Sequence, residues 1–377
     1  MKVLISGASI AGPTTAYWLT RAGHEVTVVE RAARPREGGA PIDVRGEAVE
    51  VAERMGVLDR IRSVRTNTQG ILYVDRSGRR STRLYPGDFA ENPGRDIELE
   101  RADLVSILYD AAKDDAEYVF EDSIETLAED SAGVDVTFAR GGEARFDLVV
   151  GADGLHSVVR GLAFGPGGTH HLGMYVALVP VDPALGRADW GVMHNSPGRV
   201  AGVYSHRGSA TGFFMFRSPE LSYDYRDVDQ QKKLLISEFA GEGWQVPRLL
   251  DAVRATDDFY FDSVSQVRMP SWTRGRVALV GDAGYCPALL SGMGTTLAMV
   301  GATALADALA AGDHRAAFAR YDLAHRPLVD HAQAGVMRSA AVLIPATRFG
   351  IWSRNQLTKL LPLAAAARRS TRRRAQV

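Results

Sequence analysis

Residues 2–30 read KVLISGASIAGPTTAYWLTRAGHEVTVVE. Lys2 to Ser6 is an apolar run of strand length. Gly7 to Gly12 is a loop of small residues, and from Pro13 to Ala22 the apolar spacing is helical, with Gly23 placed as the residue that closes a helix. Glu25 to Glu30 reads as a second strand. Strand, glycine loop, helix and strand within about 30 residues make a βαβ unit. Gly7 allows a tight turn, the small Ser9 lets backbone approach a pyrophosphate, and Gly12 lets helix and sheet pack closely. Ile10 and Ala11 lead into the helix start, whose unpaired N–H groups attract phosphate. Glu30 closes the second strand 18 positions beyond Gly12, near the roughly 20 expected for an acid that hydrogen-bonds a ribose. Arg31 follows it. An acid here suits an unphosphorylated ribose, as in FAD or NAD, better than NADP.

Working outward, Ala48, Val51, Ala52 and Met55 fall on one helical face and Gly56 ends it. Gly70 to Arg83 reads as a hairpin turning at Arg76-Ser77-Gly78. Leu104, Ile107, Leu108 and Ala111 again have helical spacing, and Val134, Val136 and Phe138 alternate as a half-buried strand. Asp147 to Val150 is a strand that runs into Gly151-Ala152-Asp153-Gly154. Met174 to about Arg217 is β-rich, with turns at Asn195 to Gly198 and Arg207 to Gly212. Gln230 to Gly241 reads as a polar helix. Arg276 to Val280 is a buried strand before a glycine-rich loop and an Ala-rich helix reaching Ala311. Residues 320–374 read as mostly helical.

The 377 residues carry 44 Lys+Arg against 45 Asp+Glu, with 46% hydrophobic residues. That is globular composition with ample core material. The balance of charge argues against a nucleic-acid partner, which requires a basic excess. One cysteine excludes an intrachain disulfide and an iron–sulfur cluster and fits a reducing compartment. No apolar stretch reaches the roughly 20 residues of a membrane span. Gly7, Gly12 and Pro13 interrupt the apolar start too early for a signal peptide, so the expected location is the cytoplasm. The pair His170-His171 is weak as a metal site.

Two further glycine-and-acid motifs accompany the first. One is Gly151-Ala152-Asp153-Gly154-Leu155-His156-Ser157-Val158-Val159-Arg160; the other is Gly281-Asp282-Ala283-Gly284, leading to Pro287 and Gly292-Met293-Gly294. In order and spacing the three motifs resemble the fingerprints of the FAD-dependent aromatic hydroxylases. This is the p-hydroxybenzoate hydroxylase-like, class A flavin monooxygenase family, which includes tetracycline-inactivating and polyketide-tailoring members. The resemblance covers nearly the whole chain except its C-terminal segment. It implies an α/β fold: a Rossmann-like FAD-binding domain with a β-sheet substrate domain and a C-terminal helical segment. The FAD-binding domain would comprise residues 1–69, 96–163 and 269–338. Residues 70–95 would be a hairpin towards the substrate domain, 164–268 the β-rich substrate domain, and 339–377 a helical segment with a basic tail.

The resemblance also implies roles. Non-covalent FAD would be reduced by transient NADPH or NADH, and dioxygen would yield a flavin C4a-hydroperoxide that hydroxylates an aromatic or polycyclic small molecule. No side-chain nucleophile is required, because the cofactor carries the chemistry. Asp282 would accept a hydrogen bond from a ribityl hydroxyl. Asp153, Gly154 and Arg160 would lie where flavin and nicotinamide both reach; Asp153 and Arg160 could equally form an internal ion pair that fixes the turn, and both readings can hold at once. Arg101 would stand beside the flavin's phosphate, and Arg45 would touch FAD or the nicotinamide as the one side chain with a possible catalytic part. Bottom-up, backbone N–H groups at Gly292, Gly294 and Thr295 can stabilise a reduced flavin's pyrimidine end. Tyr175, His194, Tyr204 and Phe214, with His206 and Phe216, are candidate substrate liners.

The chain also departs from the family pattern. Tyr285 stands for a His, Pro287 for a pair of prolines, and Thr296 for an Asn, so the loop facing the flavin ring is expected to be reshaped. Cys286 reads as a buried structural thiol and the run Arg368 to Arg374 as a solvated end. A monomer or homodimer is expected. The competing reading is a flavoprotein that does not oxygenate: a binding or sensing protein, or a flavin reductase.

Overall fold

The computed structural model describes residues 1–35, 40–85, 95–310 and 312–359. The chain forms two compact units. The first comprises Met1–Arg65, Gly94–Leu172 and Ser265–Val336; the second comprises Thr66–Pro93, Gly173–Val264 and Met337–Val377.

The first unit is built on a six-stranded sheet. Its order is Thr273–Arg274, Val277–Leu279, Leu148–Gly151, Lys2–Ser6, Glu25–Glu30, Glu117–Phe120. All neighbours are parallel except the short first pair. Strands of a parallel sheet are covered on both faces and read as continuous apolar runs. Val3, Leu4 and Ile5 accordingly have no exposed surface. The first helix, Ala11–Arg21, begins two residues earlier than its apolar spacing suggests, because its start is fixed by the glycine loop and not by the first apolar residue. It packs against the helices Arg101–Ala112 and Gly294–Ala310. Small residues line its buried side, from Ala11 to Ala16. An antiparallel three-stranded sheet, Ile124–Glu129, Val134–Phe138 and Glu143–Phe146, also belongs to this unit. Only its middle strand alternates strongly enough to be read from sequence. Pro41–Val44 and Ile97–Glu100 form a separate antiparallel pair.

The second unit is a seven-stranded sheet. Its order is Tyr260–Val267, Thr169–Pro180, Ser209–Arg217, Arg199–His206, Trp190–Ser196, Gly70–Val74, Arg80–Leu84. The hairpin expected at residues 70–83 forms and adds itself in parallel to Trp190–Ser196. The expected turns are tighter than their polar composition suggests. One strand continues through Ser196, and another starts at Ser209. Two helices, Val228–Glu238 and Val246–Ala255, pack on one face through Tyr175, Phe214, Phe216, Phe239 and Leu249. The second of them is legible in hindsight: Val246, Leu249, Leu250 and Val253 follow helical spacing and are buried. The C-terminal helical segment lies on the other face. There Arg217 Nε donates to the Ile344 carbonyl (2.8 Å), Arg354 Nη1 to Asn195 Oδ1 (2.9 Å), and the Arg354 guanidinium sits 3.9 Å from the centre of the Tyr73 ring.

The tightest sterics lie in the first loop. A Cβ at Gly12 would stand 1.8 Å from the Gly7 carbonyl oxygen, where nothing but backbone can move. Gly12→Ala is therefore expected to destabilise the protein by about 3 kcal/mol or more, the range of severe overpacking. Urea unfolding measures it, and a change below about 1 kcal/mol would contradict this account of the loop.

Candidate functional site

The three glycine-and-acid turns converge at the carboxyl ends of neighbouring parallel strands, where ligands bind in open α/β sheets. Gly7 adopts φ +105°, and a Cβ there would lie 2.6 Å from the Ala152 carbonyl oxygen, so the first turn rests directly on the second. Gly281, at φ +67°, brings its backbone against Ala11, 3.1 Å from that residue's Cβ to the position a Cβ would take. Arg160 Nη1 donates to the Ala283 carbonyl at 2.9 Å and ties the second turn to the third.

The first turn offers open donors. The helix after it has no side-chain cap and no acid in its first turn, so its N-terminal N–H groups and partial positive charge face the loop uncompensated. Glu30 is bound more tightly than expected. Its carboxylate accepts the Ala8 N–H (2.8 Å) and the Ala32 N–H (2.9 Å) and so clamps the loop to the second strand. Each oxygen retains a further lone pair for a ligand hydroxyl. Arg31 points to solvent. Arg101 Nη2 donates to Ser9 Oγ at 3.0 Å, and its charge acts on Asp282.

Asp282 is open to solvent at its side chain yet embedded deep among protein atoms. A group can be both only on the floor of a concavity. Burial pushes its carboxyl above the ordinary carboxylate range, while the Arg101 guanidinium and the Cys286 thiol draw it back. Cys286 is buried, with Sγ 3.5 Å from the Ser265 carbonyl.

Asp153 and Arg160 both hold the second turn, through separate partners. The Asp153 carboxylate accepts the Ser157 hydroxyl (2.5 Å) and the N–H groups of Val158 (2.8 Å) and Val159 (3.1 Å), so it caps the helix Val158–Phe164. Arg160 is 7% exposed and donates to the carbonyls of Ala283 and Leu155 and to the Thr169 hydroxyl. The two fix the turn through separate partners and not as an ion pair. Arg160 is an internal staple, because its guanidinium is occupied by protein acceptors. Gly154, at φ +82°, borders open space.

Arg45 lies beside the third turn. Its guanidinium pairs with Asp43 at 2.5 Å, but its buried Nε has no acceptor among the described residues. A Cβ at Gly292 would lie 3.0 Å from this guanidinium, so glycine there makes room for it. The Thr296 hydroxyl donates to the Arg45 carbonyl at 3.2 Å. Gly294 opens the 17-residue helix Gly294–Ala310, whose Thr295 is buried. Pro287 is buried, and its carbonyl accepts from Gln266. Tyr285 does not face this loop. It is wholly buried against Trp272 (4.6 Å) and His325 (4.9 Å), and its hydroxyl pairs with that of Tyr321 at 3.1 Å.

The substrate liners need correction. Tyr175, Phe214 and Phe216 are fully buried in the core between sheet and helices, because alternation along their strands puts them on the helix side. His194 is on that side too, with Nδ1 3.3 Å from the Val74 carbonyl and Nε2 3.6 Å from Glu242. Tyr204 is on the opposite face, half-buried and edge-on to Phe213 at 6.1 Å. His206 shares that face by alternation and is buried. Phe213 was not singled out from sequence, although its register opposite Leu178 and Gly202 puts it beside Tyr204.

The model of the FAD binding domain family matches residues 1–339. The chain belongs to this family. It is 46% identical over 341 residues to an uncharacterized protein of Mycobacterium tuberculosis, covering 88% of this chain and 91% of that one. It is 38% identical over 369 residues to a flavin-dependent monooxygenase from an unknown prokaryotic organism, covering 97% and 92%. The crystal structure of the tetracycline destructase Tet(51) superposes with a TM-score of 0.85 at 34% identity, covering 96% of this chain and 97% of that one. The protein is an FAD-dependent monooxygenase that consumes NAD(P)H and dioxygen. Its residues suit FAD: an uncapped helix for phosphate, an orphaned buried guanidinium nitrogen and a carboxylate open to a concavity.

Two predictions follow from this geometry. Glu30→Ala removes acceptors for two backbone N–H groups and is expected to cost about 1–3 kcal/mol of stability along with at least about tenfold in FAD affinity. Glu30→Gln keeps the shape and should recover part of both. Unchanged FAD affinity in Glu30→Ala, measured by fluorescence titration, would remove Glu30 from the site.

Burial pushes Asp43 up to about 6, against the opposing pull of Arg45 and with help from Glu98 and Asp96. A carboxyl raised in the folded state holds a proton that the unfolded chain has released. Its contribution to stability is therefore present below about pH 4 and lost as pH rises through 6. Between these values the flavin-free wild type should lose about 2 kcal/mol more than Asp43→Asn, allowing for partial exposure. Parallel pH profiles of the two proteins would count against the shift.

Proposed function

We propose that this monooxygenase hydroxylates a hydrophobic aromatic or polycyclic small molecule in the cytoplasm, as a monomer or homodimer. The reading is carried by the convergence of three glycine-and-acid turns around one set of open donors and acceptors. The polycyclic class is supported by the likeness to Tet(51), whose name marks it as acting on tetracycline.

FAD, when bound, would accept a hydride equivalent from NADPH or NADH and deliver one atom of dioxygen to the substrate. The residues bind and orient it. N–H groups at Ile10, Ala11 and Gly12 would hold the pyrophosphate, with Gly7 and Ser9 allowing its approach. Glu30 would accept from the adenosine ribose and Asp282 from the ribityl chain. Arg101 would neutralise phosphate charge. Arg45 and the start of the helix at Gly294 and Thr295, shaped by Gly292 and Pro287, would favour negative charge on the reduced ring. Asp153, Gly154, Arg160 and Gly281 would position these groups without carrying chemistry. The seven-stranded unit would serve as the substrate domain, with Tyr204 the liner retained from the sequence reading.

The test is to screen aromatic compounds for stimulated oxidation of NADPH or NADH while following product mass. The expected result is a yellow protein that releases FAD on denaturation and a product heavier by one oxygen. Stimulated reductant consumption with no oxygenated product from any compound would favour a reductase. Asp282→Asn is expected to retain less flavin, by about tenfold in affinity. A fully loaded variant would refute the ribityl assignment.

A further inference from the structure

The first unit has a cavity of about 470 Å³ that contains none of the residues assigned to FAD. Small-molecule sites are of this size, roughly 300–1,000 Å³. The cavity lies between the segment that follows the strand Tyr260–Val267 and the helix His314–Ala334. Arg326, Val329, Asp330, Gln333 and Ala334 are spaced i, i+3, i+4, i+7 and i+8, so one helical face forms a wall. Val267, Met269 and Pro270 line the other side. Trp272, which has no exposed surface, carries the Arg326 guanidinium 3.8 Å from its ring centre.

Three side chains around this cavity keep unspent bonding capacity. Arg268 is exposed, and its Nε and Nη2 donate to Gln266 Oε1 at 2.9 and 2.6 Å. Its Nη1 has no acceptor among the described residues. Gln266 is 1% exposed and donates to the carbonyls of Pro287 (3.1 Å) and Gln333 (2.9 Å), so a buried amide aims the surface guanidinium. Gln333 Nε2 donates to the carbonyls of Val267 (2.9 Å), Cys286 (3.3 Å) and Tyr285 (3.4 Å). Those three carbonyls fix which end of its amide is nitrogen and leave Oε1 as an open acceptor. Asp330 is exposed and has neither a hydrogen bond nor an ion pair among the described residues. Arg326, in contrast, is spent on Asp322 and on the carbonyls of Met269 and Pro270. Groups held in place before a ligand arrives lose little freedom on binding it.

The charge pattern identifies the occupant. One cationic donor and two acceptors, one of them anionic, border an apolar wall. Arg268 and Asp330 do not pair with each other, so the groups that answer them must stand apart on the ligand. A plain anion would meet the charge of Asp330, a plain amine would meet that of Arg268, and a neutral apolar molecule would answer neither. We propose that this cavity binds a small zwitterion whose carboxylate meets Arg268, whose ammonium meets Asp330 and Gln333, and whose apolar body rests on Val267, Met269 and Val329. The inference does not rest on the substrate reading, because binding is measured without turnover.

The test is isothermal titration of the FAD-loaded full chain with the dipeptide leucyl-leucine, its C-terminal amide and its N-acetyl derivative. The dipeptide is zwitterionic, apolar and not aromatic, which sets it apart from the proposed substrates. It is expected to bind, and each blocked derivative to bind at least about tenfold more weakly, since hydrogen bonds between charged groups have that worth. Arg268→Gln should lower the affinity for the dipeptide to about that of the amide while leaving the amide's own affinity unchanged. Asp330→Asn should do the same with respect to the N-acetyl derivative. Both variants should keep their FAD content and circular dichroism. Ala334→Trp, which fills the cavity from an exposed helix position, should abolish binding; if it does not fold, the two charge variants decide alone. No binding of the dipeptide at millimolar concentration would overturn the proposal. So would equal affinity for all three compounds, or dipeptide binding that survives both Arg268→Gln and Asp330→Asn.

Discussion

The close approach of Gly12 to the Gly7 carbonyl is the constraint on which the rest depends. It forces the first helix to begin within van der Waals reach of the first strand's end, and the residue at the cap position, Ile10, has no side-chain acceptor to offer the helix N-terminus. An uncapped N-terminus buried by close packing is unfavourable unless an anion satisfies it. The same packing sets Gly7 on Ala152 and Ala11 on Gly281. The fold and the cofactor site therefore share one steric constraint.

Charge follows from that geometry. Asp43, Asp153 and Asp282 are all embedded enough for burial to raise them above the ordinary carboxylate range. Each is met by a different compensation. Asp43 has the Arg45 guanidinium, Asp153 has backbone N–H groups at a helix start, and Asp282 has Arg101 and the Cys286 thiol. Asp153 spends three of its acceptor sites within the protein, on the Ser157 hydroxyl and the N–H groups of Val158 and Val159. Asp282 and Arg45 retain open capacity, one as an acceptor and one as a donor. That difference separates positioning residues from binding residues more clearly than motif membership does.

The parallel sheet, its first helix and the three turns were legible because their chemistry is local. A strand, a small-residue loop and a terminal acid lie within residues 2–30, and buried parallel strands read as unbroken apolar runs. The substrate liners were not legible, because alternation shows which residues share a face and not which face meets the core. Tyr204 and Phe214 are both aromatic residues on strands, and only the placement of helices Val228–Glu238 and Val246–Ala255 sends them to opposite sides. The partners of Arg160 were not legible for a related reason. Its partners, Leu155, Thr169 and Ala283, include a carbonyl 123 positions away, and no motif records a carbonyl.

The departures in the third turn are compensated inside the first unit. A tyrosine at 285 needs a place for its hydroxyl, and Gly301 provides it: a Cβ there would lie 1.9 Å from that oxygen. Tyr321 pairs with the same hydroxyl and donates to the Leu279 carbonyl, just before the turn that presents Asp282. His325 completes the cluster and is held neutral, its pKa pushed down to about 4 by burial. Tyr285, Gly301, Tyr321 and His325 thus act as one packed block behind the turn. Tyr285 lies in the core and supports the backbone of the turn from behind. Ala288, at φ +73°, carries the remaining cost, since a non-glycine residue in that region stores about 1–3 kcal/mol. The loop ahead of the helix Gly294–Ala310 carries its strain at one residue and is braced from behind.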